Sequence, residues 1–181
     1  MTEKHETGMT EQSVEQAPMR QPLRWLWLAA AVVVLDLATK AMASSWLGYA
    51  QPREVLPFFN LTLLHNTGAA FSFLADHPGW QRWLFAAIAA GASIGLSIWI
   101  SRLRADEKWL GASLALIIGG ALGNLYDRLV HGYVVDFLSF HLAGWYYPAF
   151  NVADIAITLG AIGLIWESLL GERRRARRRR A

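Results

Sequence analysis

The chain has 181 residues, 54% of them hydrophobic and 17% charged, with nine tryptophans and no cysteine. That length suits a single domain, and the missing thiols exclude disulfides, a cysteine nucleophile and cysteine-based metal sites. The formal charge of +3 hides an asymmetry: seven arginines crowd positions 173–180, while the rest of the chain sets ten basic residues against fourteen acidic ones.

Residues 1–22 are polar, carry Glu3, Glu6, Glu11 and Glu15, and show little apolar periodicity, which reads as a disordered leader. Four apolar stretches follow, at Leu23–Met42, Trp83–Ile100, Trp109–Tyr126 and Phe150–Leu170. Each is close to the roughly 20 residues that cross about 30 Å of hydrocarbon as a helix. The middle two are short, so they cross with little tilt or extend into their flanks. Ala41-Met42-Ala43 imitates a signal-peptide cleavage site, but the run before it is long and holds Asp36 and Lys40, so it reads as a retained first span.

Basic residues orient the spans. Arg20 and Arg24 precede the first, Arg102, Arg104 and Lys108 fill the tight link between the second and third, and the arginine tail (171–181) follows the fourth. The other two connections hold only Arg53, Arg82 and Arg128. Both termini are therefore expected in the cytoplasm. A basic cluster just past an apolar segment touches anionic lipid, so phospholipid rather than nucleic acid is its expected partner. Trp25, Trp27, Trp80, Trp83, Trp109 and Trp145 sit near the span ends, where aromatic side chains anchor at the interface.

The first outer connection, residues 43–82, is long. Val55–Phe59 and Leu61–Leu64 are rich in β-formers, Asn66-Thr67-Gly68 is a turn signal, and Ala69–Leu74 is a candidate returning strand. The expected architecture is an all-α membrane protein of four transmembrane helices with a small β element on its outer face.

Charged and amide side chains collect at the outer ends of these spans. Asp36 and Lys40 are four apart on the first, which suggests an ion pair or the wall of a polar cavity. Gly119 and Gly123 on the third make a face of small residues that admits a neighbouring helix. Asn124, Asp127 and Arg128 share a helical face if the helix continues that far, with Asp127 and Arg128 diverging toward different partners. Asp136 follows a turn at His131-Gly132 and lies in Val-Val-Asp-Phe-Leu, an apolar setting that raises a carboxyl pKa. Asp154 lies three residues after Asn151 at the start of the fourth span; alone, it reads as a helix-start acid favoured by the macrodipole. Because the third span runs outward and the fourth inward, both acids land at one outer depth, across a short re-entrant stretch. Two convergent carboxylates sharing a proton can drive acid/base chemistry on a peptide bond. The histidines lack HExxH spacing, so zinc hydrolysis is not expected, and no Gly-x-Ser-x-Gly or phosphate loop is present. A small transporter predicts acids near the midplane rather than at one end, and a passive scaffold leaves these groups without a task.

Five blocks in series are recognisable: Asp36-Leu-Ala-Thr-Lys40, Asn66-Thr-Gly-Ala-Ala-Phe-Ser72, Gly119-Gly-Ala-Leu-Gly-Asn-Leu-Tyr-Asp-Arg128, Val134-Val-Asp-Phe137 and Phe150-Asn-Val-Ala-Asp154. In them the chain resembles the bacterial lipoprotein signal peptidases (signal peptidase II) over about residues 23–170. The resemblance implies an aspartic protease of the inner membrane with four transmembrane helices, a periplasmic β-cradle and a short periplasmic helix, the last two within residues 43–82. It implies cleavage of diacylglyceryl-modified prolipoproteins just before the lipidated cysteine, without metal or other cofactor, and inhibition by globomycin-like cyclic peptides. Asp136 and Asp154 match the catalytic pair. Asp36, Lys40, Asn66, Gly68, Asn124, Asp127, Arg128, Asn151 and Ala153 match positions that shape or support the site.

Overall fold

A computed structural model describes residues 24–68 and 79–180, with side chains described up to residue 169. The elements run α1 (Trp25–Trp46), β1 (Arg53–Leu56), β2 (Phe59–Asn66), α2 (Trp80–Ser101), α3 (Lys108–Val130), β3 (Val134–Leu142), β4 (Trp145–Tyr146) and α4 (Val152–Arg180). All four helices are long and apolar enough to cross a bilayer. As anticipated, the two short middle spans extend into their flanks, reaching 22 and 23 residues. The first helix also outruns its apolar core, ending at Trp46 rather than Met42. The fourth continues through the arginine segment to Arg180. The leader (1–22), the candidate strand Ala69–Leu74 and the rest of 69–78 lie outside the described residues. So does the short helix implied for the outer connection, which is absent from the described part of residues 43–82.

The third helix is the axis of the bundle. It packs against each of the other three, and 56% of its apolar window is buried inside the protein, against 28% for α1 and 17% for α2 and α4. Lipid tails are as apolar as leucine, so helices here gain from close packing rather than from escaping water. Glycines make that approach possible. A β-carbon at Gly119 would strike the Ala29 carbonyl and Val32 of α1, and one at Gly123 would strike the Asp36 carboxylate. The small-residue face is thus the seat of α1. Gly120, one residue round, meets the Ala153 carbonyl and Ile157 of α4. At the far end Ala29, Ile100, Leu103, Leu114, Ala115 and Ile118 form an apolar plug.

The sheet caps the other end in the order β1-β2-β3-β4. The stretch expected to be re-entrant between α3 and α4 is instead nine residues of strand, antiparallel to β2. Its first four residues, Val134–Phe137, are buried on both faces, a continuously buried run with Asp136 inside it rather than an alternating one. Gly132, at φ +88°, makes the turn from α3 into β3. An irregularity between Leu61 and Leu64 sets Leu64 opposite Asp136 and Asn66 opposite Val134. Asn66 is therefore a diagonal neighbour of Asp136 on the same face, within reach of a side-chain contact.

Gly120→Ala should lower stability by about 1–3 kcal/mol, because the added methyl meets α4 backbone. Gly91→Ala, on a part of α2 with nothing within 4 Å, should be neutral or stabilising by up to about 1 kcal/mol. Thermal unfolding of both variants in detergent checks the pair, and equal effects would contradict the close approach of α3 and α4.

Candidate active site

The site starts from a buried ammonium. Lys40, 3% exposed, places Nζ 2.7 Å from Asp36 Oδ2 and 3.0 Å from Asp127 Oδ2, and donates to Asn124 Oδ1 at 2.9 Å. The ammonium thus has two carboxylate counter-ions and one amide oxygen as hydrogen-bond acceptor. The i, i+4 spacing supplies Asp36, and the outward continuation of α3 supplies the other two.

Each carboxylate of this trio does a second task. Asp36 Oδ1 accepts the Ala153 N–H at 2.9 Å, one of the donors that the start of α4 leaves without an intrahelical partner. Asp127 Oδ2 accepts the Val135 N–H at 3.0 Å and so pins β3 to α3. The other oxygen of Asp127 lies 3.5 Å from His131 Nδ1. Lys40 therefore sits beneath both the strand bearing Asp136 and the helix bearing Asp154.

Asn151 joins those two acids. It precedes α4 as the N-cap, and its Oδ1 accepts the Asp154 N–H at 3.0 Å while Asp154 Oδ2 accepts the Asn151 N–H at 3.3 Å. This reciprocal pair is a capping box, so the bland reading of Asp154 as a helix-start acid is correct as far as it goes. The remaining oxygen, Oδ1, faces Asn124, whose Nδ2 donates to it at 2.8 Å. The Asn151 side chain donates to Asp136 Oδ1 at 2.7 Å, with longer contacts to Asn124 Oδ1 and the Val135 carbonyl. One asparagine thus holds Asp136 with its amide and Asp154 with its backbone.

Asp136 is 2% exposed. Its second oxygen accepts from Asn66 Nδ2 at 3.0 Å. Asn66 is held in that orientation because its own Oδ1 accepts the Gly68 N–H at 3.0 Å. Burial, and then the nearby negative charge of Asp154, push the Asp136 carboxyl up to about 7, against the opposing hydrogen bonds of Asn66 and Asn151. Asp136 is thus poised to hold a proton near neutrality.

Arg128 and Asp127 diverge, as adjacent helical residues must. Arg128 donates to the Asn124 carbonyl at 3.3 Å and to the Gly68 carbonyl at 3.1 Å, and its guanidinium lies 5.2 Å from the Phe85 ring. It clamps the Asn66–Gly68 turn over the cavity.

Asp136 and Asp154 both wall a cavity of about 460 Å³, together with Asn66, Gly68, Asn124 and Arg128. Its other wall descends α4 through Ile155, Thr158 and Leu159. Asp36, Lys40, Asp127, Asn151 and Ala153 stand behind the polar face rather than on it. Sequence reasoning missed the Tyr147–Phe150 wall, whose only signal was aromatic content. It also missed the ladder in which His65 and His131 stack on Tyr133 at 3.9 and 5.9 Å, because no sequence spacing links His65 to the other two rings. Paired carboxyls, one raised toward neutrality, beside an apolar trough suit general acid/base hydrolysis of a membrane-embedded chain.

The family model for signal peptidase (SPase) II matches residues 28–170. Lipoprotein signal peptidases of Yersinia pseudotuberculosis serotype O:1b (strain IP 31758) and Yersinia pestis (strain Pestoides F) are each 53% identical over 148 residues, covering 82% of this chain and 88% of the relative. Two solved bacterial membrane enzymes share the fold. The one determined in meso at 2.3 Å superposes with a TM-score of 0.73 at 30% identity, over 86% of this chain and 93% of its own. The other, at 1.9 Å, gives 0.71 at 29% identity, over 86% and 98%.

Replacing Lys40 by Met should cost about 3–5 kcal/mol, because it leaves Asp36 and Asp127 buried without their cation. Adding Asp127→Asn should recover part of that loss. Unfolding midpoints in detergent measure both, and a silent Lys40→Met would show that the trio contributes no stability.

Proposed function

This chain belongs to the signal peptidase II family of membrane proteases that remove signal peptides from lipoproteins, and we propose that it works as an aspartic endopeptidase through Asp136 and Asp154. The observation that carries this reading is the Asn151 bridge, which sets both carboxyls on one cavity wall.

Two close carboxyls hold one proton between them, and their titration belongs to the pair. The ionised member takes a proton from water as the water oxygen attacks the scissile carbonyl carbon. The protonated member donates to the carbonyl oxygen. Collapse of the tetrahedral intermediate breaks the C–N bond, and a proton passes to the departing amine. The products are a signal peptide with a new carboxylate and a mature chain with a new amino terminus. The reaction needs no metal or other cofactor.

The substrate reading follows from depth. The apolar wall of α4 takes the membrane-spanning signal segment, and the polar end takes the bond to be cut. A diacylglyceryl-modified cysteine is anchored by its own chains at the interface, so the bilayer positions the bond just before it. Arg128 and Asn66 hold the cavity mouth, and a globomycin-like cyclic peptide would block the same trough. The bias of basic residues supports an inner-membrane protein with both termini in the cytoplasm and the dyad on the periplasmic side. The arginine segment then lies against anionic phospholipid.

Asp136→Asn and Asp154→Asn should each cut turnover of a lipidated precursor by roughly 10²–10⁴-fold while the protein still inserts and folds. Near wild-type processing by either would sink the dyad, and equal turnover of an unlipidated precursor would sink the substrate reading. Because Asp136 is raised to about 7, activity should fall as pH rises through that value and the pair loses its shared proton. A profile flat from pH 6 to 9 would contradict this.

A further inference from the structure

A second, larger cavity, of about 1180 Å³, runs along the sheet away from the dyad. It shares Tyr147, Pro148 and Ala149 with the first, so the two form one path. Its walls include Phe58, Phe140, Trp145 and Tyr146, which are 47%, 42%, 84% and 64% exposed. Large aromatic side chains left so exposed by the protein, and gathered around one groove, mark a binding surface.

The polar content of the groove is specific. None of its lining residues is Lys, Arg, Asp or Glu, and its one imidazole, His141, lies 3.3 Å from Asn60 Oδ1, so it offers a lipid phosphate no permanent cation. Thr62, 7% exposed, lines it with a hydroxyl that has no hydrogen-bond partner among the described residues. A buried hydroxyl without a partner is costly, and a main-chain amide or carbonyl arriving in the groove would satisfy it. Aromatic platforms with single uncharged handles suit an extended, uncharged polypeptide stretch.

Direction settles which stretch. A chain whose apolar part lies along Ile155, Thr158 and Leu159 reaches the two carboxyls at the top of α4 and has the sheet ahead of it. We infer that the groove of Thr62, Phe140 and Tyr146 seats the first few residues on the C-terminal side of the cut, as a subsite for the mature lipoprotein's own amino-terminal segment. This rests on the peptidase reading above and goes beyond it, since it assigns specificity to protein outside the membrane.

The test uses the full-length enzyme and two precursors with the same signal peptide and lipidated cysteine. One ends at the residue after the cysteine, and the other carries eight residues of mature sequence. Wild type should show the lower KM for the longer precursor. Tyr146→Ala should raise KM for the longer precursor at least 5-fold more than for the shorter, with kcat little changed. Thr62→Val should raise the unfolding midpoint, by removing an unpaired hydroxyl, while raising KM for the longer precursor. Equal KM values for wild type on both precursors, or equal losses on both in the variants, would overturn the subsite and leave the dyad standing. A photoreactive residue three places after the cysteine should crosslink to β3 or β4 in the Asp154→Asn variant. Crosslinking only to lipid would overturn the groove, and this readout holds even if wild type cuts neither precursor, the result that would sink the peptidase reading itself.

Discussion

One ammonium organises the polar half of this protein. Lys40 sits among apolar helices, paired with two carboxylates and hydrogen-bonded to an amide oxygen. Removing a charge from water is expensive, and an arrangement like this survives only when counter-charges lie close by. Matching dictates position. Asp36 cannot leave without freeing the Ala153 N–H, and Asp127 cannot leave without freeing the Val135 N–H. The ion cluster thus fixes the first turn of α4 and the start of β3 against the same point.

Asparagines extend that order to the two acids that line the cavity without adding charge. An amide donates and accepts at once, so it can stand between a cation and an anion. Asn124 accepts from Lys40 and donates to Asp154. Asn151 donates to Asp136 and caps the helix that carries Asp154. Asn66 reaches Asp136 from the sheet, steadied by Gly68 and, through Gly68, by Arg128. An aspartate in any of these places would put a third negative charge beside two carboxyls that already repel.

The bundle makes this possible by bringing backbones unusually close. The Asp36 carboxylate occupies space that any side chain at position 123 would fill, and the α4 carbonyl at Ala153 occupies the space beside position 120. Polar groups reach one another across helix interfaces because the glycines of α3 remove what would separate them. At the opposite end the core residues are apolar and no charge is buried among them.

Much of this was legible in the chain itself. The spans and their number are local properties, written in about 20 consecutive residues at a time. The pair Asp36 and Lys40, the face of Gly119 and Gly123, and the common face of Asn151 and Asp154 follow from helical periodicity alone. The returning strand β3 did not, because a strand buried on both faces lacks the alternation that announces one, and its nine residues read as a bare connection. Nor did the groove on the sheet, whose aromatic walls come from the β1–β2 turn, β3 and the β4 segment and share no period. Tertiary structure alone decided that groups as distant as Asp36 and Ala153, 117 positions apart, would meet. Convergence of that kind depends on how closely helices approach and how strands register, and no local pattern of residues encodes either.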